Sequence, residues 1–372
     1  MAFHESPHFD YRPRSRRLPR LRRAGRKLVH RLLGLQPWQH ELAHHLDQLT
    51  PAPAQVFHLH NLHGAYFDLG ALPRLAKTAP VFVTLHDHWL FTGHCVTPLE
   101  CERWRQGCGR CPDLRRQEAI ARDATRFNLR RRVALLGEAR VRLAAPSEYL
   151  RRKALASALG GVDRDLTVIP NGVDTRVFSP GDSIEARRLL GLSAADLVAI
   201  THCAGGADHP ARDLGACRDA LLAAANDVGK PLVWIVVGGA DGRETSGALQ
   251  IRTLAPQNDG ARLVSLLRAA DVYLMAPREE TFGLAIAEGM ACGLPVVTPR
   301  VGAVPELVEN GAHGWLAPLG DTRGLAAALS SLLTKPDQRA GMGRAAAARI
   351  VSDYSLETMA DRTLRWYAER RS

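Results

Sequence analysis

Short apolar runs separated by amphipathic segments fill most of the chain. In the first half these runs are Ala54–His60, Val81–His86, Val141–Ala145 and Leu166–Ile169. In the second half they are Leu197–Ile200, Leu232–Val237, Val272–Met275 and Pro295–Thr298. Continuous apolar runs of this length are typical of strands buried on both faces of a parallel sheet. Segments Ala65–Ala76 and Glu118–Leu136 are predicted to be helices between the first strands. The alternation predicts an α/β fold with right-handed crossovers.

The two halves of the chain read as separate α/β units, since no internal repeat relates them. The loop Pro170–Gly181 contains two prolines and two glycines and is the predicted hinge. A chain of 372 residues is long enough for two sizeable cores. We therefore expect a basic amino-terminal arm (1–50), a first Rossmann-like domain (51–180), a second one (181–354) and a last helical segment (355–372).

Composition and cysteine usage favour a cytoplasmic globular protein. Hydrophobic residues make up 46% of the chain, yet no apolar run approaches the ~20 residues of a spanning helix. The amino terminus lacks the apolar core of a signal peptide. Seven cysteines, an odd number without an export signal, indicate reduced thiols or metal binding rather than a disulfide framework.

The formal net charge of +11 is concentrated near the amino terminus. Ten of the 49 Lys and Arg residues lie between Arg12 and Arg31, and no acidic residue occurs between Asp10 and Glu41. Basic residues mixed with Leu and Val suit an anionic membrane surface, where each cation contributes about 1 kcal/mol. Nucleic acid is disfavoured as a partner because aromatic interleaving and known binding motifs are missing. A solvated arm is the remaining alternative.

Two glutamates, Glu280 and Glu288, are the most informative pair in the chain. They bracket the turn Phe282-Gly283-Leu284, where a predicted strand gives way to a predicted helix. Ligands of open α/β sheets bind at the carboxyl ends of strands, and the amides at a helix start favour phosphate. Carboxylates would repel a diphosphate, so their expected partners are hydroxyls. A ligand that carries both an anionic group and neighbouring hydroxyls fits a nucleotide sugar. The alternative is that the two glutamates lie on an exposed helix and bind no ligand.

Four ordered motifs carry a family resemblance. Beside the paired glutamates stand Gly293–Val297, Gly302–Gly311 and Val168–Asp174. This set resembles the donor domain and interdomain segment of retaining GT-B glycosyltransferases of family 4, over roughly residues 56 to 360. The resemblance implies two Rossmann-like domains facing a cleft, with the last helix returning to the first domain. It also implies a nucleotide diphosphate sugar donor, a saccharide or lipid-linked acceptor, and retention of configuration.

The resemblance assigns roles to the donor residues. Glu288 would hold the ribose and Glu280 would orient the donor sugar. The amides of Phe282, Gly283 and Leu284 would meet the diphosphate or the sugar. We assign no D-x-D metal motif between the strands, and the family works without metal, so no cofactor is expected for catalysis.

Arg212 is the candidate for stabilising the leaving group. It follows a glycine pair after a strand and precedes a predicted helix. The family pattern has a second basic residue a few positions earlier, but small and acidic residues occupy that place here. One alternative is therefore that Arg212 is only a surface residue. For the whole chain, the alternative is a catalytically silent scaffold protein that binds nucleotide sugars. An epimerase or a phosphorylase would share the fold, but a phosphorylase needs a much longer chain.

Histidines end two strands of the first half. His60 is followed by Asn61, and His86 is followed by Asp87. Parallel strands place their carboxyl ends at one rim, so both imidazoles can face a ligand there. His86 matches the family histidine near the transferred sugar, whereas His60 and Asn61 are weaker acceptor-side candidates. Structural roles remain the alternative for each histidine.

Four thiols cluster in Cys95-x5-Cys101-x6-Cys108-x2-Cys111. Four thiolates close a tetrahedral structural zinc site, although the spacing of the first pair is unusual. Free thiols or a redox pair are the alternatives.

The first 50 residues lack the strand and Gly-rich loop with which family members open. We expect the first sheet to lack its usual opening strand, because either the encoded start lies upstream of Met1 or the basic arm replaces that unit. An exposed sheet edge is a stability liability. The chain is thus predicted to be a weak or inactive enzyme that depends on membrane or partner contact.

Overall fold

The computed structural model describes residues 32–35, 43, 46, 52–63, 67–203 and 209–369. The basic segment Arg12–Arg31 lies outside the described residues, so its contact with an anionic membrane surface stays a prediction, as does the replacement of the opening strand. None of the described helices is long and apolar enough to cross a membrane. The chain divides into two compact units: the first runs to Ile169 and resumes at Thr363, and the second comprises Pro170–Arg362.

The first unit is built on a four-stranded parallel sheet with the order β1-β2-β3-β4. Phe57 of β1 lies opposite Val81 of β2, and Val83 lies opposite Leu143 of β3. Every residue of β2 is buried, which explains why its sequence is continuously apolar. The strands are β1 (Phe57–His60), β2 (Val81–Thr84), β3 (Arg142–Ala145) and β4 (Thr167–Val168).

Short helices cover this sheet. They are α1 (Leu72–Leu75), α2 (Thr125–Glu138) and α3 (Glu148–Leu155), with 3-10 turns at Leu69–Ala71, Trp89–Phe91, Arg103–Gln106 and Ala158–Gly161. The helix expected from Glu118 begins only at Thr125, with Ala124 as its N-cap; the side chain of Asp123, one residue earlier, accepts from the Thr125 amide at 3.1 Å. The helix expected over 65–76 shrinks to a 3-10 turn and α1, since Asp68 caps the chain at Gly70.

The second unit contains a seven-stranded sheet with the order β11-β10-β9-β5-β6-β8-β7. All neighbours are parallel except β7 and β8, which form an antiparallel hairpin at one edge. The sequence analysis missed this hairpin and β11. The strands are β5 (Leu197–His202), β6 (Leu232–Val237), β7 (Gly242–Ser246), β8 (Leu249–Leu254), β9 (Val272–Leu274), β10 (Val296–Pro299) and β11 (Gly314–Ala317).

Aspartates start several helices of the second unit. The side chains of Asp182, Asp213, Asp259 and Asp321 accept from backbone amides at the beginnings of α4, α5, α6 and α9. Each such cap satisfies an amide that has no partner within its helix. The helices are α4 (Ser183–Leu189), α5 (Leu214–Val228), α6 (Gly260–Ala269), α7 (Leu284–Ala291), α8 (Val304–Leu307), α9 (Thr322–Thr334) and α10 (Pro336–Asp353).

The last helix, α11 (Leu356–Glu369), ends in the first unit. The Trp366 ring is 2% exposed, and its centroid lies 4.7 Å from that of Phe82 in β2. The Tyr367 hydroxyl forms a hydrogen bond with Nδ1 of His58 in β1. The carboxyl-terminal residues thereby cover part of the first sheet beside its histidines.

Candidate functional site

The carboxylate of Glu280 is held by the backbone of its own turn, between β9 and α7. Oε1 accepts from the amides of Thr281 at 3.0 Å and Phe282 at 3.4 Å. Burial raises the pKa of Glu280, while the Phe282 amide and the charge of Arg212 oppose this rise. The Phe282 amide therefore serves Glu280, which differs from the expectation that it meets the diphosphate.

Glycines fix the position of this turn. Gly283 has a φ of 97° and immediately precedes α7, a conformation that other residues rarely adopt. A Cβ at Gly302 would lie 2.1 Å from the Glu280 carbonyl oxygen, which also accepts from the Ala303 amide at 2.9 Å. The Phe282 ring packs against Tyr354, so its side chain belongs to the core. Leu284 is 42% exposed.

Arg212 lies close to Glu280 because its segment is tied to the chain that leaves β9. The Arg278 amide donates to the Ala211 carbonyl at 2.7 Å, and the Asp213 amide donates to the Ala276 carbonyl at 2.8 Å. The Arg212 guanidinium forms a hydrogen bond with the Cys203 thiol, and its charge acts on Glu280. The glycine pair that precedes Arg212 lies outside the described residues.

Glu288, on α7, meets a histidine that the sequence analysis missed. Its Oε2 lies 3.4 Å from Nδ1 of His202, the last residue of β5. The hydroxyl of Tyr273 donates to the His202 carbonyl at 3.3 Å, and Gly289 leaves room for the Tyr273 ring. The polar strand-end signal that singled out His60 and His86 did not reach His202, because the predicted strand ended at Ile200 whereas β5 continues to His202.

The first unit brings three histidines together at the ends of β1 and β2. Nδ1 of His60 lies 2.9 Å from Nε2 of His86, and the rings of His58 and His60 are 4.1 Å apart. Burial and the neighbouring imidazoles lower the pKa of His58 to about 3. Burial and His60 lower the pKa of His86 to about 4, although Asp87 opposes the shift. Both side chains are therefore neutral near pH 7.

A fourth histidine, His63, has the opposite electrostatic setting. Its Nε2 lies 2.9 Å from Asp87 Oδ2, and its Nδ1 lies 3.7 Å from Glu118 Oε1. Burial alone would lower the pKa of His63, but hydrogen bonds and charge from these two carboxylates raise it to about 9. The imidazole is thus a cation at neutral pH. Asn61, between these histidines, has a left-handed φ of 46°.

The expectation that no D-x-D motif lies between the strands was wrong. Asp163 and Asp165 form such a triplet before β4. Asp163 is 6% exposed. Its Oδ2 accepts from the Leu143 amide at 2.7 Å, and its Oδ1 accepts from the Asp165 amide at 3.1 Å. The triplet therefore stabilises the backbone around β3 and β4.

The four clustered cysteines are free thiols, and two of them lie near an imidazole that the sequence did not single out. Nε2 of His94 lies 3.3 Å from Cys111 Sγ and 3.7 Å from Cys95 Sγ. Burial raises the pKa of Cys95 to about 12 and that of Cys108 to about 11, which opposes thiolate chemistry at neutral pH. Among the described residues, no three His, Cys, Asp or Glu side chains already surround a common metal position.

Two sequence families match the chain, one in each half. The family described as "Glycosyltransferase Family 4" matches residues 2–177. The family described as "Glycosyl transferases group 1" matches residues 216–335. The matches thus fall on the first and the second unit respectively.

Curated relatives share part of their length with this chain. The D-inositol 3-phosphate glycosyltransferase of Segniliparus rotundus is 34% identical over 216 residues, which cover 54% of this chain and 46% of that protein. The N-acetyl-alpha-D-glucosaminyl L-malate synthase of Bacillus anthracis is 27% identical over 205 residues, which cover 52% of this chain and 51% of that protein. The chain spans about half the length of the curated relatives it matches.

Solved structures share the fold at low sequence identity. Anabaena HepE, described in complex with UDP and glucose, aligns with a TM-score of 0.61 at 20% identity and covers 88% of this chain and 80% of its own. Sucrose-phosphate synthase from Thermosynechococcus elongatus aligns with a TM-score of 0.59 at 21% identity and covers 85% and 73% respectively.

Two Rossmann-like units with parallel sheets, together with these neighbours, define a protein of the GT-B fold. The family models give a more specific comparison than the fold does. Both halves of the chain are similar to glycosyltransferases, and the first half matches the family 4 model over residues 2–177.

Proposed function

We propose that the chain transfers a sugar from a nucleotide diphosphate sugar to a hydroxyl group of a saccharide or lipid-linked acceptor, with retention of configuration. The observation that carries the proposal is the proximity of Arg212 to Glu280, with Glu288 on the helix that follows. One cation and two carboxylates near the carboxyl ends of parallel strands fit a diphosphate and sugar hydroxyls. The description of HepE with UDP and with UDP-glucose supports this class of donor.

Each donor residue has a separate task in this proposal. Glu288 accepts hydrogen bonds from the ribose hydroxyls, and His202 orients the Glu288 carboxylate. Glu280 accepts from a hydroxyl of the transferred sugar, and its bonds to the backbone amides hold it in place beforehand. Arg212 stabilises the negative charge that develops on the departing diphosphate.

The proposed reaction makes and breaks one carbon–oxygen bond at the anomeric carbon. The acceptor hydroxyl approaches on the face that the diphosphate leaves, and its proton passes to a diphosphate oxygen. The bond from the anomeric carbon to that diphosphate breaks as the glycosidic bond forms, so configuration is retained. Neutral His86 is proposed to donate one hydrogen bond to the sugar, since its lowered pKa prevents a cationic role near pH 7.

The acceptor is assigned by chemical class alone. Two relatives are named for inositol 3-phosphate and for L-malate, which are small hydroxyl compounds. A small hydroxyl acceptor is therefore the alternative to a saccharide or a lipid-linked sugar.

Substitution Glu288→Gln tests the donor assignment. The amide keeps the size of the side chain but loses the charge that strengthens hydrogen bonds to ribose. We expect donor binding to weaken by about 1.5 to 3 kcal/mol, the range for hydrogen bonds to charged groups. Isothermal titration with a panel of nucleotide diphosphate sugars provides the measurement.

Glu185→Gln is the matched control, because Glu185 is an exposed partner of Arg188 on α4. This control should bind the donor as the wild type does, since exposed ion pairs contribute little. Equal donor affinity in Glu288→Gln and in the wild type would remove the ribose assignment. Donor binding without any release of nucleoside diphosphate would instead favour the scaffold function.

A further inference from the structure

A long loop of the first unit carries a group of side chains that the proposed function does not use. Residues 92–124 connect the turn Trp89–Phe91 to α2, and their only regular element is the 3-10 turn Arg103–Gln106. Loops of this length without internal structure are uncommon in compact domains. The loop contains five soft metal-binding side chains, namely His94, Cys95, Cys101, Cys108 and Cys111.

His94 occupies the centre of this group. Its side chain is 1% exposed, and Nε2 lies 3.3 Å from Cys111 Sγ and 3.7 Å from Cys95 Sγ. Tetrahedral zinc, with bonds of about 2.3 Å to sulfur and about 2.0 Å to nitrogen, separates these two ligand atoms by about 3.5 Å. Each of the two nitrogen–sulfur distances is therefore close to that between neighbouring zinc ligands.

Cys101 is the best fourth ligand, and Cys108 has a different partner. The Cys101 and Cys108 thiols both lie within electrostatic reach of Cys95 and Cys111, so the partner of Cys108 decides between them. Cys108 Sγ accepts from the Gly93 amide at 3.1 Å. Rotation about χ1 moves a cysteine sulfur by roughly 3 Å, enough for the three thiols to converge on one position.

Charges around the loop complement a zinc centre. Three thiolates and one Zn²⁺ carry a net charge of −1. The Arg116 guanidinium acts electrostatically on Cys95 and donates to the Pro98 carbonyl at 2.6 Å. The guanidinium of Arg132 is buried against the Trp89 ring, 3.6 Å from its centroid, and acts on Cys108. The carboxylates of Asp87 and Glu118 also act on Arg132, so the thiolates of a zinc centre would add to negative charge already present there.

The backbone around Cys108 is held in an unusual conformation. Residues Gly107, Cys108, Gly109 and Arg110 have φ values of 85°, 59°, 91° and 49°. Left-handed conformations of non-glycine residues such as Cys108 and Arg110 are unfavourable and persist only where the surroundings enforce them. A metal bound on both sides of this stretch would enforce them.

We propose that this loop binds one structural zinc ion through His94, Cys95, Cys101 and Cys111. The three thiols lose their protons on binding, and the closed tetrahedral site has no open position for substrate. Its role is to order the loop next to the corner that contains Asp87. The connection is direct, because the His88 amide donates to the Val96 carbonyl at 3.0 Å and Arg132 donates to the Thr92 carbonyl at 2.8 Å.

Metal analysis of the full chain, purified reduced and without chelators, tests the proposal. We expect about one equivalent of zinc, and X-ray absorption should show three sulfur ligands at about 2.3 Å and one nitrogen at about 2.0 Å. His94→Ala should lose most of the bound zinc. Cys108→Ser is the matched control in the same loop and should keep one equivalent.

Several outcomes would overturn the assignment. One is that the wild-type protein contains no zinc after dialysis against zinc chloride. Another is that it contains iron and sulfide in place of zinc, and a third is that X-ray absorption shows four sulfur ligands and no nitrogen. Zinc that persists in His94→Ala but is lost in Cys108→Ser would also overturn it. The absorption spectrum of the wild type decides the ligand set even if a variant does not fold.

Discussion

At the scale of single residues, buried ionisable groups in this chain are compensated in two ways. Backbone amides hold the carboxylate of Glu280, and the charge of Arg212 also favours its ionised form. Two carboxylates hold the imidazole of His63, and this pairing is strong enough to reverse the effect of burial on its pKa. In both cases the compensating groups come from a turn or from a neighbouring strand end. The position of the Glu280 and His63 side chains is therefore set before any ligand binds.

The charge of His63 makes a prediction about pH. The folded chain keeps this proton up to about pH 9, whereas an ordinary histidine releases it near 6.5. The folded state therefore binds more protons in this interval, and stability falls as the pH rises. We expect the wild type to have a larger free energy of unfolding than His63→Gln. This difference should be largest below pH 6.5 and should disappear as the pH passes about 9. Urea unfolding across this range measures it.

The groups that face His63 are Asp87, Glu118 and His86. His86 is neutral throughout the interval, because its pKa is lowered to about 4. His313→Gln is a suitable control, since burial lowers the pKa of His313 and its difference from wild type should stay constant above pH 6.5. A constant difference for His63→Gln between pH 6.5 and 9 would show that the imidazole is not charged in the folded chain.

At the scale of elements, the turn before α7 depends on a close backbone approach. Gly302→Ala would place a Cβ 2.1 Å from the Glu280 carbonyl oxygen, at a φ of 53°. Neither backbone segment can move without displacing Glu280, so we expect a loss of roughly 1 to 3 kcal/mol in stability. Donor binding should weaken as well. Thermal unfolding and isothermal titration measure the two effects.

Gly341→Ala is the matched control, because Gly341 lies within α10 and a Cβ there meets nothing within 4 Å. Alanine in a helix interior is favoured over glycine by about 0.5 to 1 kcal/mol, so this variant should be as stable as the wild type or more stable. If Gly302→Ala behaved as Gly341→Ala does, the close approach would not constrain the turn.

Apolar runs predicted the central buried strands most accurately, because a strand such as β6 is apolar and buried along its whole length. Leu232–Val237 has the same bounds in the sequence and in the structure. The hairpin of β7 and β8 was missed because the residues of β7 are polar and four of its five are exposed. The start of α2 was wrong because residues 118–124 form bends and irregular backbone instead of helix, and Asp123 accepts from the Thr125 amide where the helix begins.

At the scale of the whole molecule, the motif order was sufficient to predict the GT-B fold and the similarity to glycosyltransferases. The sequence also placed Glu280 and Glu288 around one turn. Contacts between residues far apart in the chain could not be predicted, since they depend on strand register and loop paths. His202 beside Glu288 and His94 between two thiols are examples. The effect of the amino-terminal arm on activity stays a prediction.

Turnover with a donor of known anomeric configuration tests the central proposal most directly. The full chain would be incubated with a nucleotide diphosphate sugar and a hydroxyl acceptor, and the product would be examined by NMR at its anomeric centre. We predict a product with the configuration of the donor and one nucleoside diphosphate released for each glycosidic bond formed. An inverted product, or donor that binds without any transfer, would contradict the account.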